Sequence, residues 1–163
     1  MNKTIYVYPL IFLATLCSSS LVLPQEYNTF KTDYTTIHYL QDVQLNDFLW
    51  RIGRLRLGPT AEASLAKSRI DRIAEQVELT LDMYPENFHV DIFLCSGYKE
   101  GNIALYSDKT KSIKAFVDRV TDGVLAHEVA HAVIDAYFKT PPSYRIEEML
   151  CQYVDAHLWQ DYE

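Results

Sequence analysis

Cysteine is scarce in this chain, with three in 163 residues. One of them, Cys17, lies in an apolar N-terminal stretch. The other two, Cys95 and Cys151, suit either a single disulfide or two buried thiols. Their spacing does not resemble a Cys-based zinc site. Runs of basic residues are also missing. The formal charge is −7, and −8 once Lys3 is removed, which disfavours nucleic acid and anionic membrane surfaces as partners. No segment after residue 23 is long or apolar enough to span a membrane. Repeats, low-complexity tracts and internal linkers are absent too, so the chain reads as one folded unit behind its N-terminal stretch.

That stretch has the parts of a secretory signal. Lys3 supplies a positive start, Ile5 to Leu16 is apolar apart from Pro9 and a few polar positions, and Cys17-Ser18-Ser19-Ser20 offers small residues for cleavage. Leu16 stands where a lipoprotein signal would carry Gly or Ala, which argues against lipidation. Ile5 to Leu23 could also serve as an uncleaved anchor, but the serines in its middle oppose this. The expected organisation is a signal over residues 1–20 and a single exported domain over 21–163. Removing 20 of 163 residues leaves about 143, enough for a real core.

What the chain does contain is His127-Glu128-Val129-Ala130-His131, an HExxH sequence set in the apolar run from Val124 to Ile134. Residues four apart on an α-helix differ by about 40° around the axis and about 6 Å along it. His127 and His131 therefore project from one face and can grip one metal ion. Imidazole suits Zn²⁺, which can lower the pKa of a water that it binds to about 7. Glu128 stands beside the two histidines as a proton acceptor. The competing view is a core helix with two hydrogen-bonded histidines, for which a glutamate between them has no use.

A third ligand should come from a second helix packed on the first. Pro141-Pro142 ends the first helix near Lys139, and Ser143 is a plausible N-cap for the next. Ile146, Met149, Leu150, Tyr153, Val154 and His157 trace an apolar stripe along that helix. Glu147 and Glu148 both compete for the ligand role, and the pattern alone does not choose between them.

HExxH followed by a glutamate on the next helix resembles the gluzincins, the thermolysin-like clan of zinc metallopeptidases. His131-Ala132-Val133-Ile134-Asp135-Ala136-Tyr137 is also similar to the continuation of the thermolysin helix. In small peptidase-MA-like members the second helix reads approximately W-L-x-E-G-x-A-x-Y. Laid on this sequence, that frame has Arg145 for the Trp and Met149 for the Gly. The resemblance covers residues 124–158. It implies zinc ligands His127, His131 and Glu148, with Glu147 in reserve, and Glu128 as the general base. Asp135 or Gln152, each one turn beyond a ligand, could hold an imidazole in its tautomer, or both could be ordinary helix surface. No cofactor besides Zn²⁺ is implied, and the partner is a peptide or protein substrate.

The rest of the chain supplies a scaffold. Tyr34 to Leu40 reads as a strand, rich in β-branched and aromatic residues. Leu45, Phe48, Leu49, Ile52 and Leu55 have helical spacing, closed by Gly58-Pro59. A second helix runs from about Ala61 to Met83, with Ile70, Ile73, Ala74, Val77, Leu81 and Tyr84 inward and a solvated charged face outward. Phe88 to Cys95 is a central strand, and residues 103–106 and 112–117 form a hairpin. His38 and His89 read as structural strand residues. The expected fold is α+β and zincin-like: a small, mostly antiparallel sheet with helices on one side and zinc between the last two helices. By resemblance, one strand of the hairpin is the edge strand that binds extended peptide.

The implied reaction is hydrolysis of a peptide bond, with Glu128 taking the water proton and passing it to the leaving amine. In larger gluzincins a Tyr or His from a downstream subdomain stabilises the oxyanion. Here the sequence stops 15 residues after Glu148, and the candidates for that role are Tyr106, Tyr137 and Tyr144. The alternative is a zinc-binding or metal-free module that recognises peptides or a protein partner without cleaving them.

Overall fold

The computed structural model describes residues 26–55, 62–98 and 100–158. The expected signal over residues 1–20 and the Gly58-Pro59 breaker lie outside these residues. In chain order the elements are β1 (Asn28–Lys31), β2 (Thr35–Tyr39), α1 (Asp42–Gly53), α2 (Glu62–Leu81), β3 (Val90–Cys95), β4 (Ala104–Ser107), β5 (Ser112–Phe116), α3 (Asp122–Tyr137) and α4 (Tyr144–His157). The α+β class is as expected. Strand β1 was not anticipated, because Asn-Thr-Phe-Lys carries no alternation strong enough to announce it.

Sheet order is β1-β2-β3-β5-β4. Strand β1 runs antiparallel to β2, and β4 antiparallel to β5, but β2–β3 and β3–β5 are parallel. The sheet is therefore mixed, not mostly antiparallel. The reason lies in the connections. Helices α1 and α2 occupy the link between β2 and β3, and a crossover of that length returns the chain in the same direction. After β3 the chain first goes out to the edge as β4, then turns back, so β5 is inserted beside β3 and parallel to it.

Period-two alternation gives the sheet two unlike faces. Ile37, Val90, Ile92, Leu94, Ala104, Ile113 and Ala115 are buried on one face. His38, Asp91, Phe93, Cys95 and Lys114 share the more open face, where the His38 ring stacks on Phe93 at 4.4 Å and its Nε2 lies 2.6 Å from Asp91. The buried face receives α1 through Leu45, Phe48, Leu49 and Ile52. It also receives α3, which is buried along most of its length. Helix α2 packs on α3 through the expected residues Ile70, Ile73, Ala74 and Val77, whereas Tyr84 falls beyond the helix and is exposed. Its charged face is not wholly solvated. Asp71 is buried and accepts the Tyr34 amide at 3.1 Å, closing the β1–β2 turn.

Helix α3 starts at Thr121, whose hydroxyl accepts the Val124 amide at 3.3 Å, with Asp122 in the first turn. It ends at Tyr137, slightly before the position that Pro141 suggests, as Phe138 turns extended. Ser143 opens α4 with an extended backbone but without a side-chain cap bond. The inward face of α4 departs from the apolar stripe. Cys151, Val154 and Leu158 are buried, while Ile146, Met149 and Tyr153 are exposed. The helix is turned so that Glu147, Glu148 and Asp155 meet the histidines of α3. Pairing those polar groups outweighs covering three apolar side chains.

Candidate metal centre

His127 and His131 lie on α3 where the HExxH spacing puts them, and α4 presents three carboxylates to them. His127 Nδ1 is 2.9 Å from Asp155 Oδ2, and His131 Nδ1 is 2.6 Å from Glu147 Oε1. An ionised carboxylate can only accept, so each Nδ1 is the donor, and in the neutral imidazole the lone pair then sits on Nε2. Both free nitrogens face one group: Glu148 Oε1 is 3.5 Å from His131 Nε2, and Glu148 Oε2 is 4.0 Å from His127 Nε2. Ligand atoms about 2.0–2.1 Å from a tetrahedral zinc ion are about 3.3 Å apart, so these separations suit a shared metal with little adjustment. Two imidazole nitrogens and a carboxylate oxygen are a donor set that suits zinc. His127, His131 and Glu148 are the residues that could hold the ion.

A second combination is present in the same place. One ligand atom each from His127, His131 and Cys151 lie within 4.8 Å of one another. Cys151 is fully buried beneath the imidazoles, and burial, reinforced by the nearby carboxylates, pushes its thiol well above the ordinary range. Glu148 lines the cleft in front of the histidines, whereas Cys151 does not. Cys95 lies on the open face of the sheet, so the two thiols are separate, and both are free.

The structure distributes the sequence candidates unevenly. Glu147, the reserve ligand, instead orients His131. Neither Asp135 nor Gln152 holds an imidazole. Asp135 Oδ2 accepts the Tyr106 hydroxyl at 2.5 Å and the Lys111 ammonium at 2.5 Å, which ties the hairpin to α3. Burial and the bond to Asp135 both raise the Tyr106 hydroxyl pKa. Asp155 was missed. It sits seven residues, two turns, beyond Glu148, and that spacing is the signal by which it could have been found. His157 stands apart, its Nδ1 bonded to the Tyr153 carbonyl at 2.8 Å. His89 bonds Thr36 Oγ1 at 2.8 Å, a structural role.

Glu128 is buried, and its Oε2 accepts the Tyr106 main-chain amide at 2.6 Å. Strand β4 is the outermost strand of the sheet, and Tyr106 belongs to it. Between this edge, α3 and the start of α4 runs a cleft of about 1050 Å³, with Ala104, Leu105 and Tyr106 on one side and Pro142, Tyr144 and Glu148 on the other. The cleft therefore brings a free strand edge, a buried carboxylate and two lone-pair imidazoles together. No helix among the described residues is long and apolar enough to cross a membrane. Comparison with known protein families, curated proteins and solved structures finds no match.

Proposed function

We propose that this domain is a zinc-dependent peptidase of gluzincin type, exported behind its signal, with His127, His131 and Glu148 holding the ion and Glu128 as general base. One observation carries the reading. Both imidazoles are fixed through Nδ1 by carboxylates, leaving two Nε2 lone pairs turned to a third carboxylate at the wall of an open cleft. A pair of histidines that merely filled a core would need no such arrangement.

When bound, Zn²⁺ supplies Lewis acidity to a water molecule and to the substrate carbonyl. The chain's own residues do the rest. Asp155 and Glu147 keep the ligand tautomers correct. An extended peptide docks along β4 through main-chain hydrogen bonds, as strand addition to a free edge allows. Glu128 accepts a proton from the attacking water as the C–O bond to the carbonyl carbon forms, and then delivers it to the departing nitrogen as the C–N bond breaks. The Tyr106 amide, donating to Glu128 Oε2, holds that side chain in place beside the histidines.

The test is metal content together with cleavage. About one zinc per chain is expected in the wild type, and His131→Ala loses it. Glu128→Gln keeps zinc and fold, because Gln is near-isosteric, but does not cleave a mixed pool of unstructured peptides near neutral pH. Full zinc in His131→Ala, or equal cleavage by wild type and Glu128→Gln, would overturn the reading.

The second reading is a non-catalytic zinc-binding module, and Cys151 is the observation that favours it. A thiolate added to two histidines and a glutamate would complete four protein ligands, the closed arrangement of structural zinc sites. Cys151→Ser separates the two. A catalytic site keeps its zinc in that variant, whereas a closed structural site loses most of it.

A further inference from the structure

The wall of the cleft is unevenly charged. Lys111 is its one Lys or Arg among the described residues, and Lys111 already pairs with Asp135. Of the other carboxylates, Glu128 and Glu148 are offset by the two charges of a zinc ion when one is bound. Glu147 and Asp155 bond to imidazoles, which are neutral as metal ligands, so both keep their charge. Asp108 is exposed at the turn that follows β4. Asp108, Glu147 and Asp155 thus leave the cleft negative, and the net charge of −7 on the whole chain has the same sign.

These charges are spread along the cleft. Tyr106 and Lys111 both bond Asp135, so the β4–β5 turn, with Asp108, lies at the C-terminal end of α3. Helix α4 runs the other way, since Glu147 meets His131 and Asp155 meets His127. Asp155 therefore stands at the opposite end. The eight residues from His127 to Asp135 rise about 12 Å along the helix, the length of about four residues of extended peptide. A peptide laid along β4 has Asp155 towards one end and Asp108 towards the other, with the histidines between them.

We infer that the substrates are cationic peptides, with lysine or arginine side chains within about two or three residues of the scissile bond. The inference rests on the peptidase reading above and deepens it by naming the substrate class. A cleft lined by one sign of charge focuses its field and raises the local concentration and on-rate of oppositely charged ligands by about 10–10³-fold. An acidic peptide meets the same field as repulsion. Asp108 and Asp155 touch neither of the bonds that form and break, so their charge acts on the bound ground state and the transition state alike. The preference therefore lies in KM and not in kcat.

The experiment uses three peptides that share one core, a sequence that the zinc-loaded wild type cuts in the mixed pool. Lysine, glutamine or glutamate flanks the core on both sides. The ends are acetylated and amidated, so that side chains alone carry the charge. Both kcat and KM are measured at ionic strengths of about 0.01 M and about 1 M, where charges are felt over about 30 Å and about 3 Å. At low salt kcat/KM should fall from the lysine to the glutamine to the glutamate peptide, by on the order of 10–100-fold across the series and mainly through KM. At high salt the spread should shrink to less than about threefold. Asp108→Lys should narrow the low-salt spread by about 3–10-fold, and Lys111→Gln, which keeps a donor for Asp135, should widen it by about twofold or more. Both variants are checked for zinc by elemental analysis and for folding by thermal melting. Equal cleavage of the three peptides at low salt, faster cleavage of the glutamate peptide, or a spread that high salt leaves intact would overturn the inference and leave the peptidase reading standing. An unchanged spread in either folded variant would overturn it too. A zinc-loaded wild type that cuts nothing in the pool would remove the peptidase reading, and this inference with it.

Discussion

Helices α3 and α4 meet at one site but are built on different terms. Eight of the sixteen residues of α3 are buried, against two of the fourteen in α4. On α3 the polar side chains in the middle of the helix are few, and each must find a partner because water cannot reach it freely. Such residues advertise themselves. On α4 solvent satisfies most polar groups, so glutamates, a glutamine and an aspartate look equivalent in the sequence. Only the packing separates the carboxylates that serve the histidines from those that do not. The lesson is that a polar residue is informative in proportion to the burial of its surroundings.

This contrast can be broken by mutation, and the largest effect belongs to α3. Ile134 is fully buried, and Ile134→Ala should lower unfolding free energy by about 2–5 kcal/mol in a denaturant titration. A loss below about 1 kcal/mol would mean that α3 is not a core helix. Next come the carboxylates of α4. Asp155→Asn and Glu147→Gln should each weaken zinc binding by about 10–100-fold, or about 1.4–2.7 kcal/mol, when measured by competition with a chelator. Gln152→Ala, with no histidine to hold, should leave zinc affinity within about twofold, a difference under about 0.5 kcal/mol. Equal losses from Asp155→Asn and Gln152→Ala would sink the assignment of Asp155. The smallest effect concerns the outer face of α4. Ile146→Ala and Met149→Ala remove exposed side chains, and each should change stability by less than about 0.5 kcal/mol. A cost of 2 kcal/mol at either would show that this face is covered in solution.

The same contrast explains what could be read from the sequence. The elements of the scaffold from β2 onward were readable, because alternation in Val90 to Cys95 and helical spacing in Leu45 to Ile52 report burial directly. His127, Glu128 and His131 were readable because their spacing is set by one helix. The parallel pairing of β2 with β3 and of β3 with β5 was not, since strand direction depends on where a connection crosses and not on the strand's own residues. The face of α4 was misread for a related reason. Ile146, Met149 and Tyr153 form a good apolar stripe, but burying them would have turned Glu147, Glu148 and Asp155 away from the imidazoles. The role of Asp155 rests on a contact between residues 28 positions apart, for which the only local sign is its two-turn spacing from Glu148.

Tyr106 has a consequence for motion. A main-chain amide on an outermost strand ordinarily exchanges its hydrogen with solvent quickly, since no further strand covers it. The Tyr106 amide is covered by Glu128 instead, and the hydroxyl of the same residue is pinned to Asp135. Its hydrogen can therefore exchange only when the β4–β5 hairpin lifts away from α3. That excursion also strips Glu128 of its amide partner. The rate at which one backbone hydrogen is replaced by deuterium thus measures how often the cleft opens and its carboxylate comes free.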